Sequence, residues 1–320
     1  MRQRSSPQRR RSAQARGRRS RGALILLLAV TLAIPIVAKR QVRSEAGEQS
    51  CDRTCLRGLL TQYLDAMIAH APERLPVAKG LRFTEDTVET RLGDGLWKTA
   101  SRLRSYRQDI LDVPAGVAGT HTIVEENGAP VLLQLRLKVS DRRIAEVETM
   151  VVRNRDEGVI FLPDAFTEAN AAMNVTPAPG QRNTRDDAIR IAQLYPAGLR
   201  AGSFVAVDAP FAADAYRFEN GRLMAGPGCT FRSDCVDIKS QKIPTLPEVA
   251  SRVAAVDEEL GIVWLRMDFG AGSLPDKTKS LIVWEAFKVY GGQIHAVEAF
   301  MEQMPRGSAS GWEDEVNSRK

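Results

Sequence analysis

Leu137-Lys138-Val139-Ser140-Asp141-Arg142-Arg143-Ile144-Ala145-Glu146-Val147-Glu148 is written again later in the chain as Phe287-Lys288-Val289-Tyr290-Gly291-Gly292-Gln293-Ile294-His295-Ala296-Val297-Glu298. Lys138, Val139, Ile144, Val147 and Glu148 recur as Lys288, Val289, Ile294, Val297 and Glu298, at one offset and without a gap. Each copy reads as an apolar-rich strand, a short polar turn and a second strand, which is the signature of a β-hairpin. A unit repeated within one chain predicts a repeated architecture.

Outward from the hairpins, the same order of elements precedes each. In the first copy Asp52 or Thr54 caps a helix from about Cys55 to His70, with Leu56, Leu59, Leu60, Tyr63, Leu64, Met67 and Ile68 on one apolar face. Leu81 to Thr84 reads as a short strand, Ser105 to Ile110 and Gly119 to Glu125 as further strands, and Asn127-Gly128 as a hairpin turn. In the second copy Thr184, followed by Asp186 and Asp187, caps a helix that bends or breaks at Pro196. Tyr216-Arg217-Phe218 echoes Leu81-Arg82-Phe83, and Gly261 to Phe269 is a strand. Gly226 to Glu248 has no counterpart and reads as an insertion. The division expected is a leader and tether over 1–50, a first domain over 51–155, a linker over 156–183, a second and divergent domain over 184–304, and a polar tail over 305–320.

Cys51-Asp52-Arg53-Thr54-Cys55-Leu56, Arg82-Phe83-Thr84-Glu85, Gly93-Asp94-Gly95-Leu96-Trp97 and Ala145-Glu146-Val147-Glu148-Thr149 resemble a secreted domain family of unknown function found in fungi and bacteria. The element order resembles the nuclear transport factor two-like superfamily, also called SnoaL-like or ketosteroid-isomerase-like. The resemblance covers residues 51–153 well and 184–303 more loosely. It implies an α+β protein of two tandem cone-shaped domains, each a curved antiparallel sheet wrapped around N-terminal helices. It is specific for fold and not for activity, since the superfamily holds isomerases, cyclases, hydrolases and plain binders. Many single-domain relatives dimerise through the sheet. A tandem chain is therefore expected to act as its own pseudo-dimer, with Trp264, Trp284, Phe287 and Phe300 giving the second copy a bulky packing face.

Charge and cysteine narrow the setting. The net charge of +6 belongs to the leader, because residues 1–40 carry eleven basic residues and no acid, leaving 34 basic against 39 acidic. The remainder has no basic stripe to neutralise phosphates, so nucleic-acid binding is not expected. Ala23 to Ala38 is an apolar run behind a cationic segment, the pattern of an export signal, with an uncleaved anchor as the alternative. Either places the body outside the cytoplasm, with membrane contact only through this segment. Cys51/Cys55 and Cys229/Cys235 are two close pairs that suit local disulfides, with a zinc site as the rival reading.

No reaction motif is complete, and neither a metal nor a cofactor is expected. A cone of this kind offers a half-buried pocket in which a carboxylate or histidine acquires a shifted pKa suited to proton transfer. The candidate acids and bases are Asp65, His70, His121 and Glu146, and the candidate ligand contacts are Tyr63, Trp97, Gln134 and Glu148. Each also has a structural reading: Tyr63 in the helix core, Trp97 as a core lid, and Glu148 paired across the hairpin with Lys138, as Lys288 and Glu298 recur together. Glu146 and Glu148 share a strand face with Ile144 and Met150 by alternation. The first copy is expected to keep the working pocket. The function expected is binding of a small organic molecule there, with general acid/base chemistry of isomerase, lyase or cyclase type. The alternative is a non-catalytic cell-envelope binding or scaffold module.

Overall fold

The computed structural model describes residues 50–308 and 312. The export signal or anchor and nearly all of the tether lie outside the described residues, and among those described no helix is long and apolar enough to cross a membrane.

The first half comprises α1 (Arg53–Ile68), β1 (Val77–Glu85), β2 (Val88–Thr90), β3 (Ala100–Asp112), β4 (Val117–Glu126), β5 (Ala129–Ser140) and β6 (Arg143–Val152). Two short helices, α2 (Arg155–Gly158) and α3 (Ala171–Asn174), lie in the connector. The second half comprises α4 (Arg185–Ala192), α5 (Leu194–Ala201), β7 (Phe211–Glu219), β8 (Arg222–Ala225), β9 (Ala250–Asp257), β10 (Ile262–Asp268), β11 (Lys279–Tyr290) and β12 (Gln293–Pro305). The sheets run β2-β1-β6-β5-β4-β3 and β8-β7-β12-β11-β10-β9, one order used twice. The protein is thus α+β with two six-stranded sheets and few helices.

Neither sheet is wholly antiparallel, in contrast to expectation. β1 runs parallel to β6, and β7 parallel to β12. Strands joined by tight turns must pair antiparallel, but β1 and β6 are separated by the whole meander and are free of that constraint. The helix break also falls elsewhere. It lies at Gln193, and Pro196 sits in the first turn of α5, where its missing N–H has no intrahelical partner to lose. Asp52 and Thr184 cap their helices as expected, accepting from the amides of Cys55 and Asp187.

Three apolar clusters give the layers. Leu56, Leu60, Tyr63 and Leu64 of α1 pack on Leu133, Leu135, Leu137 and Val147 of the first sheet. Ile191, Tyr195 and Leu199 pack on Val283, Phe287 and Val297 of the second. The third cluster joins the two sheets: Ile110, Val117, Leu132 and Met150 meet Ile262, Trp264, Trp284 and Phe300. Trp264, Trp284 and Phe300 therefore face the first half as expected, while Phe287 faces the helices beside Tyr195. Each sheet is covered on both faces, so its strands read as apolar runs with weak alternation.

A bulge near the start of the last strand occurs in both copies. Lys138 pairs with Glu146 but Val139 with Ile144, leaving Ala145 over, and Lys288 pairs with Ala296 but Val289 with Ile294, leaving His295 over. Ile144 therefore joins Val147 on the helix side, and Glu146, Glu148 and Met150 turn to the other face. This corrects the expectation that Ile144 shares their face. The Lys138–Glu148 pair is corrected too. Lys138 donates to the Ala115 carbonyl (2.6 Å), and Lys288 donates to the Leu260 carbonyl at the corresponding turn. The joint recurrence of the two lysines is explained by these turns.

The same turns tie the halves together. Asp112 accepts from Ala115 N (3.0 Å) in its own turn, from Val256 N (2.7 Å) in the other sheet, and from both Nη of Arg185 at the start of α4 (3.0 and 2.6 Å). Asp257 accepts from Leu260 N (3.1 Å), from Leu111 N (3.0 Å), and from both Nη of Arg53 at the start of α1 (2.7 and 2.9 Å). The exchange is reciprocal, as in a twofold interface. Both cysteine pairs are local disulfides, Cys51–Cys55 and Cys229–Cys235. The tail is not wholly detached: Trp312 is buried, and its Nε1–H donates to Thr84 Oγ1 (3.1 Å).

Candidate functional site

Of the sequence-predicted site residues, His70 and Trp97 line one open space of about 330 Å³ with Pro72, Gly93 and Lys98, and the others lie elsewhere. Tyr63 and Trp97 are core: the rings meet edge to face at 5.1 Å, and Trp97 Nε1 donates to the Tyr63 hydroxyl (2.9 Å). Asp65 is exposed in a shallow groove with Gln62 and Arg74. His70 is exposed past the end of α1, its Nδ1 on the Trp97 carbonyl at 2.5 Å. Gln134, His121, Glu146 and Glu148 project from the opposite face of the sheet, toward the second half.

There, His121 stacks on Phe300 at 4.4 Å and accepts from Trp264 Nε1 at 3.2 Å. Burial pushes its pKa down to about 3, so it stays a neutral packing residue. The Gln134 amide is buried with no protein partner. Glu146 takes Arg136 (3.0 Å), and Glu148 takes Arg252 of β9 (2.7 Å) with Arg136 at 3.8 Å. Both carboxylates are thus paired with arginines.

A different set does surround a cavity. A space of about 270 Å³ lies between the connector and the second sheet, lined by Tyr106, Phe166, Phe218, Gly221 and Glu298, with Glu168 and Asn170 among its rim residues. β3 supplies Tyr106, β7 Phe218 and β12 Glu298, and the connector closes over them by packing Phe166 on Tyr106 (4.6 Å) and Phe300 (5.3 Å). Asn220 pins that connector, donating to the carbonyls of Gly158 and Ile160.

Glu298 is the chemical centre of the cavity. Burial raises its pKa to about 7, against the hydroxyl of Tyr216, which donates to it at 3.0 Å. Among the described residues no arginine or lysine pairs with it, unlike Glu148 at the corresponding position. The Tyr106 hydroxyl is buried beside the same carboxyl without a hydrogen bond of good geometry. Burial, with the carboxylate nearby, holds both tyrosines protonated. The arrangement offers one carboxyl that titrates near neutrality, the phenol donor of Tyr106 and an aromatic wall.

On the helix side of the second sheet, Arg217 donates to Tyr195 (3.1 Å) and Gln241 (2.9 Å), and burial pushes Glu285 up to about 8. The insertion over 226–248 fills that side with Ile238, Gln241 and Leu246. Among the described residues no three His, Cys, Asp or Glu side chains are grouped to hold a metal ion.

Sequence reasoning missed Tyr106, Tyr216 and Glu298 as a set. The repeat itself marks Glu298 as the twin of Glu148, but nothing local signals that Tyr106 reaches it from the other half.

Residues 181–301, the second half, match the model of a family described as a domain of unknown function, DUF8021. No curated protein matches the chain. Among solved structures, a de novo designed protein with a curved β-sheet is 16% identical, covering 31% of this chain and 87% of that one, at a TM-score of 0.27. A likeness that low carries no argument.

Proposed function

We propose that the chain is a tandem SnoaL-like protein of the exported class that binds a small organic molecule in the cavity of Tyr106, Phe166, Phe218 and Glu298. The observation that carries this is the pairing of an aromatic wall with a cation-free carboxyl whose pKa burial raises to about 7. Concave, largely apolar spaces with a few convergent polar groups are where small ligands bind, and about 270 Å³ suits a fragment-sized one. The repeated order of helix and six strands supports the superfamily reading, with the cone form as part of it. The two halves act as a pseudo-dimer, which the reciprocal Asp112 and Asp257 contacts support. Two disulfides fit an oxidising, extracytoplasmic environment, which supports export.

The site sits between the halves and is not the first-half pocket expected from the sequence. Glu298 is the group that takes or gives a proton, with the Tyr106 hydroxyl as a donor to an oxygen of the ligand and the Tyr216 hydroxyl holding the carboxyl in place. The test is a fragment screen by ligand-observed NMR on wild type, Glu298→Gln, Tyr106→Phe and Phe218→Ala. Hits weakened by the cavity changes support the reading, and hits indifferent to all three overturn it. Deuterium exchange into a bound hit, lost in Glu298→Gln, separates proton transfer from binding alone, the envelope-module reading.

A further inference from the structure

The chain carries a template for the ligand of this cavity. Arg82, Thr84 and Glu148 of the first half occupy the register positions of Tyr216, Phe218 and Glu298 in the second: Thr84 pairs with Glu148 as Phe218 pairs with Glu298. From the facing sheet Arg252 reaches Glu148, and Tyr106 lies beside Glu298. The cavity and the Thr84 surface are therefore equivalent places in the repeat.

On the Thr84 surface lies an indole. Trp312 is buried there, with its N–H on Thr84 and the Arg82 guanidinium 4.4 Å from the ring centroid. It follows the last strand of the second half and covers the first half. The connector, which follows the last strand of the first half, covers the second half in the same way through Phe166. In the connector's case the cover leaves the cavity of about 270 Å³.

The surroundings of the glutamate differ between the two places in a consistent direction. Arg82 is replaced by Tyr216, Thr84 by Phe218 and Arg136 by Ala286, and where Arg252 reaches Glu148 from the facing sheet, Tyr106 lies beside Glu298. In register two cations are lost and two rings gained, while the glutamate stays. Glu168 adds a further acid at the rim. An anionic ligand would meet two acids and no cation among the lining residues. A flat ring would meet Tyr106, Phe166 and Phe218, and an N–H on that ring would find the Glu298 carboxyl.

Resting on the binding role proposed above, we infer that the ligand is an uncharged or cationic aromatic nitrogen compound of indole type, its ring against Phe218 and Phe166 and its N–H donating to Glu298. The hydrogen bond to a carboxylate separates this class from hydrocarbons of the same shape, by about tenfold or more in affinity.

The test is titration of the full chain with indole, indene and cyclohexanol, followed by NMR. Indole is expected to bind about tenfold more tightly than indene, to lose that advantage in Glu298→Gln, and to bind more weakly in Phe218→Ala. Indene binding as well as indole, with Glu298→Gln without effect, overturns the ligand class while leaving the cavity a binding site. Cyclohexanol binding in preference to both aromatic probes, still sensitive to Phe218→Ala, does the same. If no probe and no fragment responds to any cavity change, the binding role falls together with the ligand class.

Discussion

Removing the Asp257 carboxylate is expected to cost more than removing almost any other polar side chain here. Asp257 is fully buried and accepts four hydrogen bonds, from Arg53 Nη1 (2.7 Å) and Nη2 (2.9 Å), Leu260 N (3.1 Å) and Leu111 N (3.0 Å). Asp257→Ala strands the Leu111 amide in a buried place, a loss of about 1–3 kcal/mol. It also takes the bidentate partner from the Arg53 guanidinium, which is left with Glu259 at 3.3 Å, and breaking a buried pair costs about 3–5 kcal/mol when the charge left behind stays dry. Arg53 is 18% exposed, so water recovers part of that. The expected loss is about 3–4 kcal/mol. Asp112→Ala removes the corresponding bonds, but Arg185 is 31% exposed and rehydrates more readily, so about 2–3 kcal/mol is expected. The double variant should cost less than the sum, because each carboxylate holds the amide next to the other. Equilibrium urea unfolding followed by tryptophan fluorescence measures all three. A loss below about 1 kcal/mol for Asp257→Ala would refute the claim that this exchange holds the halves together.

Stability should depend on pH through Glu298. Its folded pKa, raised to about 7 by burial, lies above its unfolded value near 4.5. The native state therefore holds the proton longer, so the contribution is full below about pH 4.5 and disappears as pH rises through 7. Urea midpoints of wild type should fall relative to Glu298→Gln over that window, and parallel curves would exclude the raised pKa. Trp312→Ala should lower stability by about 2–4 kcal/mol, and free indole should restore part of its melting temperature while leaving wild type less affected. Replacing Cys229 and Cys235 together by alanine opens a loop of sequence separation 6 and should cost about 2 kcal/mol, read from the shift in urea midpoint.

Much of the fold was legible because a strand's partner is written close by. The hairpins at 129–152 and 279–305 follow from polar turns between apolar runs, and the repeat announces a second sheet of the same strand order. The faces were harder to read. Leu133, Leu135 and Leu137 face α1, while Leu132 and Met150 face the other sheet, so apolar residues on both sides blur the alternation that separates inside from outside. The bulge at Ala145 was invisible for the same reason, and missing it put Ile144 on the wrong side of its strand. β9 is covered on both faces by the time it reaches Asp257, yet its start, Ala250-Ser251-Arg252, gives little strand signal. The candidate site was less legible still. Tyr106 and Glu298 meet only because two sheets pack face to face, and no spacing rule links residues so far apart in the chain.

One contact between the sheets has a consequence for the ancestry of the repeat. Gly119 and Trp264 stand at the same register position in their copies, opposite Arg136 and Ala286, and they touch each other. A Cβ on Gly119 would overlap the Trp264 indole. Glycine in both copies would leave a hole at this spot, and tryptophan in both would collide. The two surfaces have become ball and socket. Neither could now marry a replica of itself, so here the doubling of the chain is a one-way step: two sisters fused into one polypeptide can specialise against each other in a way that identical subunits cannot.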